Sequence, residues 1–270
     1  MIMNNKMRKL RSLLQSLHSV AVAFSGGVDS TFLLKVAKEV LEKRVIAVTL
    51  HSDLFSSQEH TEAISLANAL DAKQFIVDFN PLALPEIRRN QPDRCYHCKR
   101  ALFTRIIEVA REQGMACVVD GTHADDTDDY RPGLRALQEL GIHSPLREVG
   151  LTKPEIRQLS KKFGLPTADK PSMACLASRF PYRIAITSKN LKRIETSETF
   201  LHNLGFDQLR VRHHGPLARI EVTSESIPVL IDSDIRNRIV AFLKKLGYHY
   251  ITLDLEGYRS GSLNEVLDKK

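Results

Sequence analysis

Ser25-Gly26-Gly27-Val28-Asp29-Ser30 combines two glycines, two hydroxyls and a carboxylate, directly between the β-branched run VAVAF and the helical stretch TFLLKVAKEV. Glycines let the main chain turn tightly and bring successive N–H groups against phosphate oxygens. The helix start adds its partial positive charge, and Ser30 adds a hydroxyl. The chemistry is that of a phosphate cradle. It is not the GxxxxGK[ST] loop, because the lysine that would reach the β- and γ-phosphates is missing. The same residue types also make an ordinary helix-capping turn, which any strand-to-helix junction can use. A second segment, Asp120-Gly121-Thr122-His123-Ala124-Asp125-Asp126, follows a later strand end. There a permissive glycine allows main-chain atoms to approach a flat base, making Gly121, Thr122 and Asp125 candidate nucleotide contacts beside Ser25, Gly26, Gly27, Asp29 and Ser30. A loop with an N-capping aspartate is the plainer alternative.

The cysteines carry the other chemistry. Cys95-Tyr96-His97-Cys98 opens a helical stretch, and Cys175 lies in the proline-containing segment GLPTADKPSMACLASRFPYR. Cys117, inside ACVVD, is a small apolar residue of a buried strand. A CxxC pair alone leaves zinc, an iron-sulfur cluster and dithiol redox chemistry open. Arg94 and Lys99 beside a helix start favour the thiolate form. Cys95, Cys98 and Cys175 together can hold three irons of a [4Fe-4S] cluster and leave the fourth iron open to an added sulfide. A zinc site made of the same three cysteines and His97 competes with it.

These segments need a scaffold. SVAVAF, RVIAVTL, KQFIVDF and ACVVD alternate with helical stretches over about 30–43, 57–70 and 95–113, the pattern of βαβ units and a doubly wound, parallel α/β sheet. Ligands in such sheets sit outside the carboxyl ends of the strands, so the loops after Phe24, Leu50, Phe79 and Asp120 are the places to search. Residues 164–183 read as a long functional loop and place a domain boundary near Cys175. This gives a nucleotide domain over 1–175 and a smaller α+β domain over 176–270. The second has a helix near 189–204, strands at QLRVR and LARIEV, further helix between 227 and 246, and a strand YITLDL.

Composition narrows the partners. With 39 Lys+Arg against 32 Asp+Glu the chain carries +7, but no block of like charges forms a basic tail for nucleic acid or an anionic membrane. At 43% apolar and 26% charged residues it is globular rather than disordered, and its apolar runs are too short to span a bilayer. The apolar residues of MRKLRSLLQSLHSV are interleaved with polar ones, unlike an export signal, so a cytoplasmic location and reduced thiols are expected.

SGGxDS after a strand resembles the PP-loop of ATP pyrophosphatases. That resemblance implies ATP held by its β,γ-pyrophosphate with the α-phosphorus exposed, and Asp29 helping to hold Mg²⁺. More specifically, DGTHADDTDDYRPGLRAL, SPLREVGLTKPEIRQLS, GLPTADKPSMACLASRFPY, RVRHHGPLARIEV and TLDLEGYRSGSLN, in order along nearly the whole chain, resemble the LarE-type ATP-dependent sulfur transferases. The resemblance implies an adenine nucleotide α-hydrolase-like domain followed by a small C-terminal domain. The implied activity is adenylation of a carboxylate of pyridinium-3,5-biscarboxylic acid mononucleotide, followed by sulfur insertion, in biosynthesis of the nickel-pincer nucleotide cofactor.

In some members of that family the sulfur comes from the cysteine at the position of Cys175, which is left as dehydroalanine. In others three cysteines carry a [4Fe-4S] cluster, and Cys95 and Cys98 place this chain with them. Arg179, Arg210 and Arg212 are implied at the phosphate of the mononucleotide, the last two sharing a face of one strand. Glu198 is implied near the substrate as a metal ligand, and a hexamer as the assembly. Ala168 and Arg183 depart from the family pattern, in which an aromatic residue and a glycine are common, and bear on the shape of the substrate pocket. The rival readings are a tRNA thiolase, which calls for an RNA-binding surface, an amide-forming ligase, which has no need of the three cysteines, and a non-catalytic nucleotide sensor. The ultimate sulfur donor is not legible.

Overall fold

The computed structural model describes residues 2–127, 132–171, 173–259 and 261–267. In chain order the principal elements are α1 (Ile2–Ser16), β1 (Val20–Ala23), α2 (Val28–Leu41), β2 (Val45–His51), α3 (Ser57–Ala69), β3 (Lys73–Asp78), α4 (Pro85–Arg88), α5 (Arg94–Glu112), β4 (Cys117–Val119), α6 (Pro132–Glu139), α7 (Pro145–Glu148), α8 (Lys153–Lys162), α9 (Ser188–Asn203), β5 (Leu209–His214), β6 (Leu217–Val222), α10 (Ile227–Ile231), α11 (Ser233–Lys245) and β7 (Tyr250–Leu253). They divide into two compact units, one of Met1–Pro81 with Asp93–Met173, the other of Leu82–Pro92 with Ala174–Lys270.

The first unit is the expected parallel sheet, in the order β3-β2-β1-β4. Its inner strands are buried on both faces, which explains why they read as continuous apolar runs. Val20, Val22, Val45 and Ala47 join a core with Leu10, Leu14, Phe32 and Leu33, while Ala21, Ile46 and Val48 join a core on the other face with Phe103 and Ile106. That two-residue alternation is the strand period made visible. Helix α1 earns its place through Met7, Leu10 and Leu14, spaced three and four apart and all buried. Helix α3 starts with a reciprocal capping box between Ser56 and Glu59.

In the second unit the sheet order is β5-β6-β7, with β5 antiparallel and β7 parallel to β6. Leu201, Leu209, Val211, Ile220, Ile239 and Leu243 form its core, and Phe200 stacks on Phe242 with ring centroids 3.9 Å apart. The helix expected between 227 and 246 is two helices. Asp232 ends the first and caps the second, its carboxylate accepting from the Asp234 and Ile235 N–H groups.

The division of the chain differs from the expected 1–175 and 176–270. The second unit begins at Ala174, and it takes in the segment 82–92. Asn90 is fully buried there, donating from Nδ2 to the Pro181 carbonyl at 2.8 Å and accepting at its own carbonyl from the Arg183 N–H. A proline-containing loop gives no periodic signal of such long-range pairing.

His213, 3% exposed, sits between Tyr248, whose hydroxyl is 3.2 Å from Nδ1, and the Phe180 ring. Burial, then the charges of Arg193 and His214, lowers its pKa from 6.5 to about 4. Unfolded, the same histidine titrates near 6.5. Between those values the unfolded chain binds the extra proton, so the stability from neutral His213 is complete above pH 6.5 and lost as pH falls towards 4. The thermal midpoint should therefore drop between pH 7 and pH 5, and His213→Gln should flatten that dependence. An unchanged slope in the variant would place the titration elsewhere.

Candidate functional site

Strand β1 delivers the chain to the cradle. The Phe24 N–H donates to the Val48 carbonyl at 2.9 Å, and Thr49 Oγ1 donates to the Phe24 carbonyl at 2.8 Å, fixing the last extended residue before the turn. Gly26 then takes φ +69°, and a Cβ there would lie 2.9 Å from the Ala63 Cα of α3. Both facts demand glycine. Gly27 caps α2 with no side-chain acceptor for the helix N–H groups. Ser30 Oγ lies 3.3 Å from the Gly27 carbonyl and 3.2 Å from Ser25 Oγ, closing the turn from inside.

The loop borders a cavity of about 390 Å³ at the carboxyl ends of the strands, lined by Ser25, Gly27, Asp29 and Ser30 together with Gly121 and Thr122. Leu102, Phe103 and Ile106 of α5 give it an apolar wall, and the size suits a nucleotide-class ligand. Gly26 and Asp125 support the cavity from behind. The Gly26 carbonyl accepts from Lys170 Nζ at 3.2 Å, and an Asp125 carboxylate oxygen accepts from the Lys153 N–H at 2.6 Å. At Gly121 an added Cβ would lie 3.0 Å from the Ser30 nitrogen, a close approach besides the expected one to a ligand. The glycine lets two loops meet.

Three lysines on the cavity wall have no counterpart among the expected site residues: Lys99, Lys153 and Lys170. Lys153 Nζ donates to Asp29 Oδ2 at 2.5 Å, and Lys170 Nζ pairs with Glu62 at 2.7 Å. Burial alone would raise the Glu62 carboxyl, but hydrogen bonds from Lys170 and Gln58 hold it below its ordinary value. The available signal for Lys153 was Thr152-Lys153-Pro154-Glu155, a capping box that sets this lysine on the first turn of α8. His51 and His60, with rings 4.4 Å apart, also line the cavity. Burial, then His51, lowers the His60 pKa.

Cys95 and Cys98 lie on the first turn of α5 in the first unit, both partly buried, with Arg94 Nη2 3.9 Å from the Cys95 sulfur. The same helix supplies Lys99, Leu102 and Ile106 to the cavity, so Cys95 lies on that helical face one turn before Lys99. His97 Nε2 is 3.1 Å from Asp93, its neighbour one turn back. Cys175 belongs to the second unit, directly before the short helical turn Leu176–Arg179. Among the described residues no group of three or more His, Cys, Asp or Glu side chains is placed to hold a metal.

The second unit buries Arg179, Arg210 and Arg212 with Glu198 and Glu221. Arg179 makes a two-pronged pair with Glu198, at 3.0 and 2.8 Å, and donates to the carbonyls of Ala174 and Cys175. Arg212 pairs likewise with Glu221, both contacts 2.8 Å, and donates to the Ser178 carbonyl. The turn bearing Cys175 is thus held by two arginines. Glu198 also accepts from the Val211 N–H at 2.9 Å, so its oxygens serve hydrogen bonds within the unit. Arg210 lies over the Tyr258 ring, 5.0 Å from its centroid, and burial, then Arg179, lowers its pKa.

Comparison with known proteins adds the following. Residues 2–94 match the family model of NAD synthase. Over 266 residues the chain is 40% identical to the pyridinium-3,5-bisthiocarboxylic acid mononucleotide synthase of Lactiplantibacillus plantarum, covering 98% of this chain and 95% of that protein. It is 40% identical over 268 residues to an uncharacterized protein of Synechocystis, covering 99% and 100%. The tRNA-specific 2-thiouridylase of Rickettsia felis is 25% identical over 228 residues, 70% of this chain and 62% of that one.

The cradle makes a direct prediction. Gly26→Ala introduces both a left-handed strain and a collision with Ala63, so affinity for a non-hydrolysable nucleoside triphosphate should fall at least about tenfold by calorimetry. Gly114→Ala is the control, because Gly114 has φ +67° with nothing within 4 Å of its added Cβ. Equal affinities for the two variants would show that the loop geometry does not govern binding.

Proposed function

We propose a specific reaction for this chain, which belongs to the LarE-type family of ATP-dependent sulfur transferases: it adenylates a carboxylate of pyridinium-3,5-biscarboxylic acid mononucleotide and replaces the activated oxygen by sulfur, a step of nickel-pincer nucleotide cofactor biosynthesis. The observation that carries it is the 40% identity over 98% of the chain to the pyridinium-3,5-bisthiocarboxylic acid mononucleotide synthase, and the Ser25–Ser30 turn beside a nucleotide-sized cavity at the strand ends supports the use of ATP. A carboxylate oxygen is a poor leaving group. Attack on the α-phosphorus of ATP expels pyrophosphate and gives an acyl-adenylate, from which sulfur then displaces AMP to leave the thiocarboxylate.

Ser25, Gly26, Gly27 and Ser30 hold the pyrophosphate end with N–H groups and hydroxyls, and the α2 N-terminus favours its charge. Gly121, Thr122 and Asp125 shape the opposite side. Asp29 suits Mg²⁺ on the chemistry of its free oxygen, since Oδ1 is buried with no hydrogen-bond partner and hard oxygen donors suit that ion. Arg210 and Arg212 are assigned to the substrate phosphate. Supporting this, Arg210 and Arg212 are buried on one strand, and guanidinium groups suit phosphate. Arg179 belongs to the same cluster and orients the Cys175 turn, while Glu198 is the carboxylate nearest to it in role, anchoring Arg179 and open to a metal only if that pair parts.

Cys95, Cys98 and Cys175 are the thiolates assigned to a [4Fe-4S] cluster, which when bound supplies a sulfide at its unliganded iron. Soft sulfur donors fit iron better than they fit Mg²⁺. Arg94 Nη2 lies 3.9 Å from the Cys95 sulfur, a donor beside one of the assigned ligands.

Anaerobic purification followed by iron and sulfide analysis should find about four of each per chain, with loss of both in Cys95→Ser, Cys98→Ser and Cys175→Ser. After turnover with ATP and the mononucleotide, mass spectrometry should find Cys175 intact. A colourless, iron-free protein whose Cys175 becomes dehydroalanine would replace the cluster by a sacrificial cysteine. Absence of ATP-dependent pyrophosphate release would sink both.

A further inference from the structure

We propose that Lys153 is a counter-ion that reserves Asp29 for a divalent metal arriving with nucleotide, so that the site excludes the free metal ion. The inference rests on the adenylation reading above and concerns the order in which that site is filled. Asp29, on the first turn of α2, has two different oxygens. Oδ2 accepts from Lys153 Nζ, whereas Oδ1 is buried and without a hydrogen-bond partner. A carboxylate with one free oxygen in a cavity is a ready cation ligand, and a hydrated divalent ion would take it unless its charge were already matched. Lys153 matches it.

The origin of Lys153 is fixed by its backbone, while its tip is held through the ion pair with Asp29. Its N–H donates to Asp125, and Thr152 and Glu155 form the capping box around it, so the backbone of α8 is pinned at that point. The four-carbon side chain is the movable part, with about a fifth of its surface still open to solvent, as for Asp29. An ion pair so exposed is weak enough to exchange. A triphosphate brings several negative oxygens past the α2 N-terminus, giving Lys153 a new partner at the moment the metal brought with it needs Asp29. The other cavity lysine with an anchored tip, Lys170, is paired with Glu62 and the Gly26 carbonyl and cannot replace Lys153 without breaking the loop's own support.

The test is Mn²⁺ binding to the full-length protein, followed by electron paramagnetic resonance with and without a non-hydrolysable ATP analogue. Wild type should bind Mn²⁺ only in the presence of the analogue. Lys153→Met should bind Mn²⁺ without nucleotide at least tenfold more tightly than wild type, and adding Asp29→Asn should abolish the gain. Lys153→Arg keeps the charge and should behave like wild type, which separates counter-ion from packing effects. Equal nucleotide-free binding by wild type and Lys153→Met, with analogue-dependent binding intact in wild type, would overturn the counter-ion role and leave the adenylation reading standing. No analogue-dependent Mn²⁺ binding in wild type would overturn both.

Discussion

The N-terminus of α2 starts at a glycine with no side chain to accept its first N–H groups. A helix start normally finds such acceptors in its own sequence or in water. Here the helix start borders a cavity, and several contacts of the first unit fix the turn that leads into it. Thr49 fixes the last residue of the incoming strand, Gly26 passes close beneath α3, and Gly121 lets the loop after β4 come up against Ser30. Each would be unremarked in an ordinary βα turn. Together they shape the turn that borders the cavity, where the dipole of a helix start favours negative charge.

The second unit meets a different constraint, the cost of burying charge. Arg179 and Arg212 each meet a carboxylate through two parallel hydrogen bonds, and their remaining N–H groups find carbonyls of the turn at 174–178. Such pairs contribute little net stability, yet removing one partner leaves a buried charge alone at a cost of about 3–5 kcal/mol. Their value lies in geometry. The peptide groups flanking Cys175 are gripped by the same guanidiniums that face inward, so the sulfur-bearing turn is tied to the charge state of the cluster behind it.

The sheet of the first unit was legible because its strands are apolar on both faces and its helices carry strong periodicity. The cradle was legible because few other arrangements use SGGxDS. Helix α1 drew notice only as a segment unlike a signal peptide, although Met7, Leu10 and Leu14 carry the spacing that buries it. Lys153 and Lys170 were hidden for a physical reason: a lysine's role depends on which carboxylate its long stem reaches, and Asp29 lies 124 positions from Lys153 in the chain. The arginines were singled out by the family resemblance, two of them also by strand spacing, but their pairing with Glu198 and Glu221 became visible only with the strand pairing and the helix that covers it.

The segment 82–92 has a consequence for how the molecule is made. It leaves the ribosome well before the residues it packs with, since the partners of Asn90 are Pro181 and Arg183. Asn90 is fully buried in the finished protein, so during synthesis its amide waits in water while most of the nucleotide unit is already emerging. The chain must pass from one unit to the other at 81–82, return at 92–93 and cross again at 173–174. The second unit is therefore not a detachable tail: no single contiguous fragment contains it alone, and its completion has to wait for the C-terminal residues.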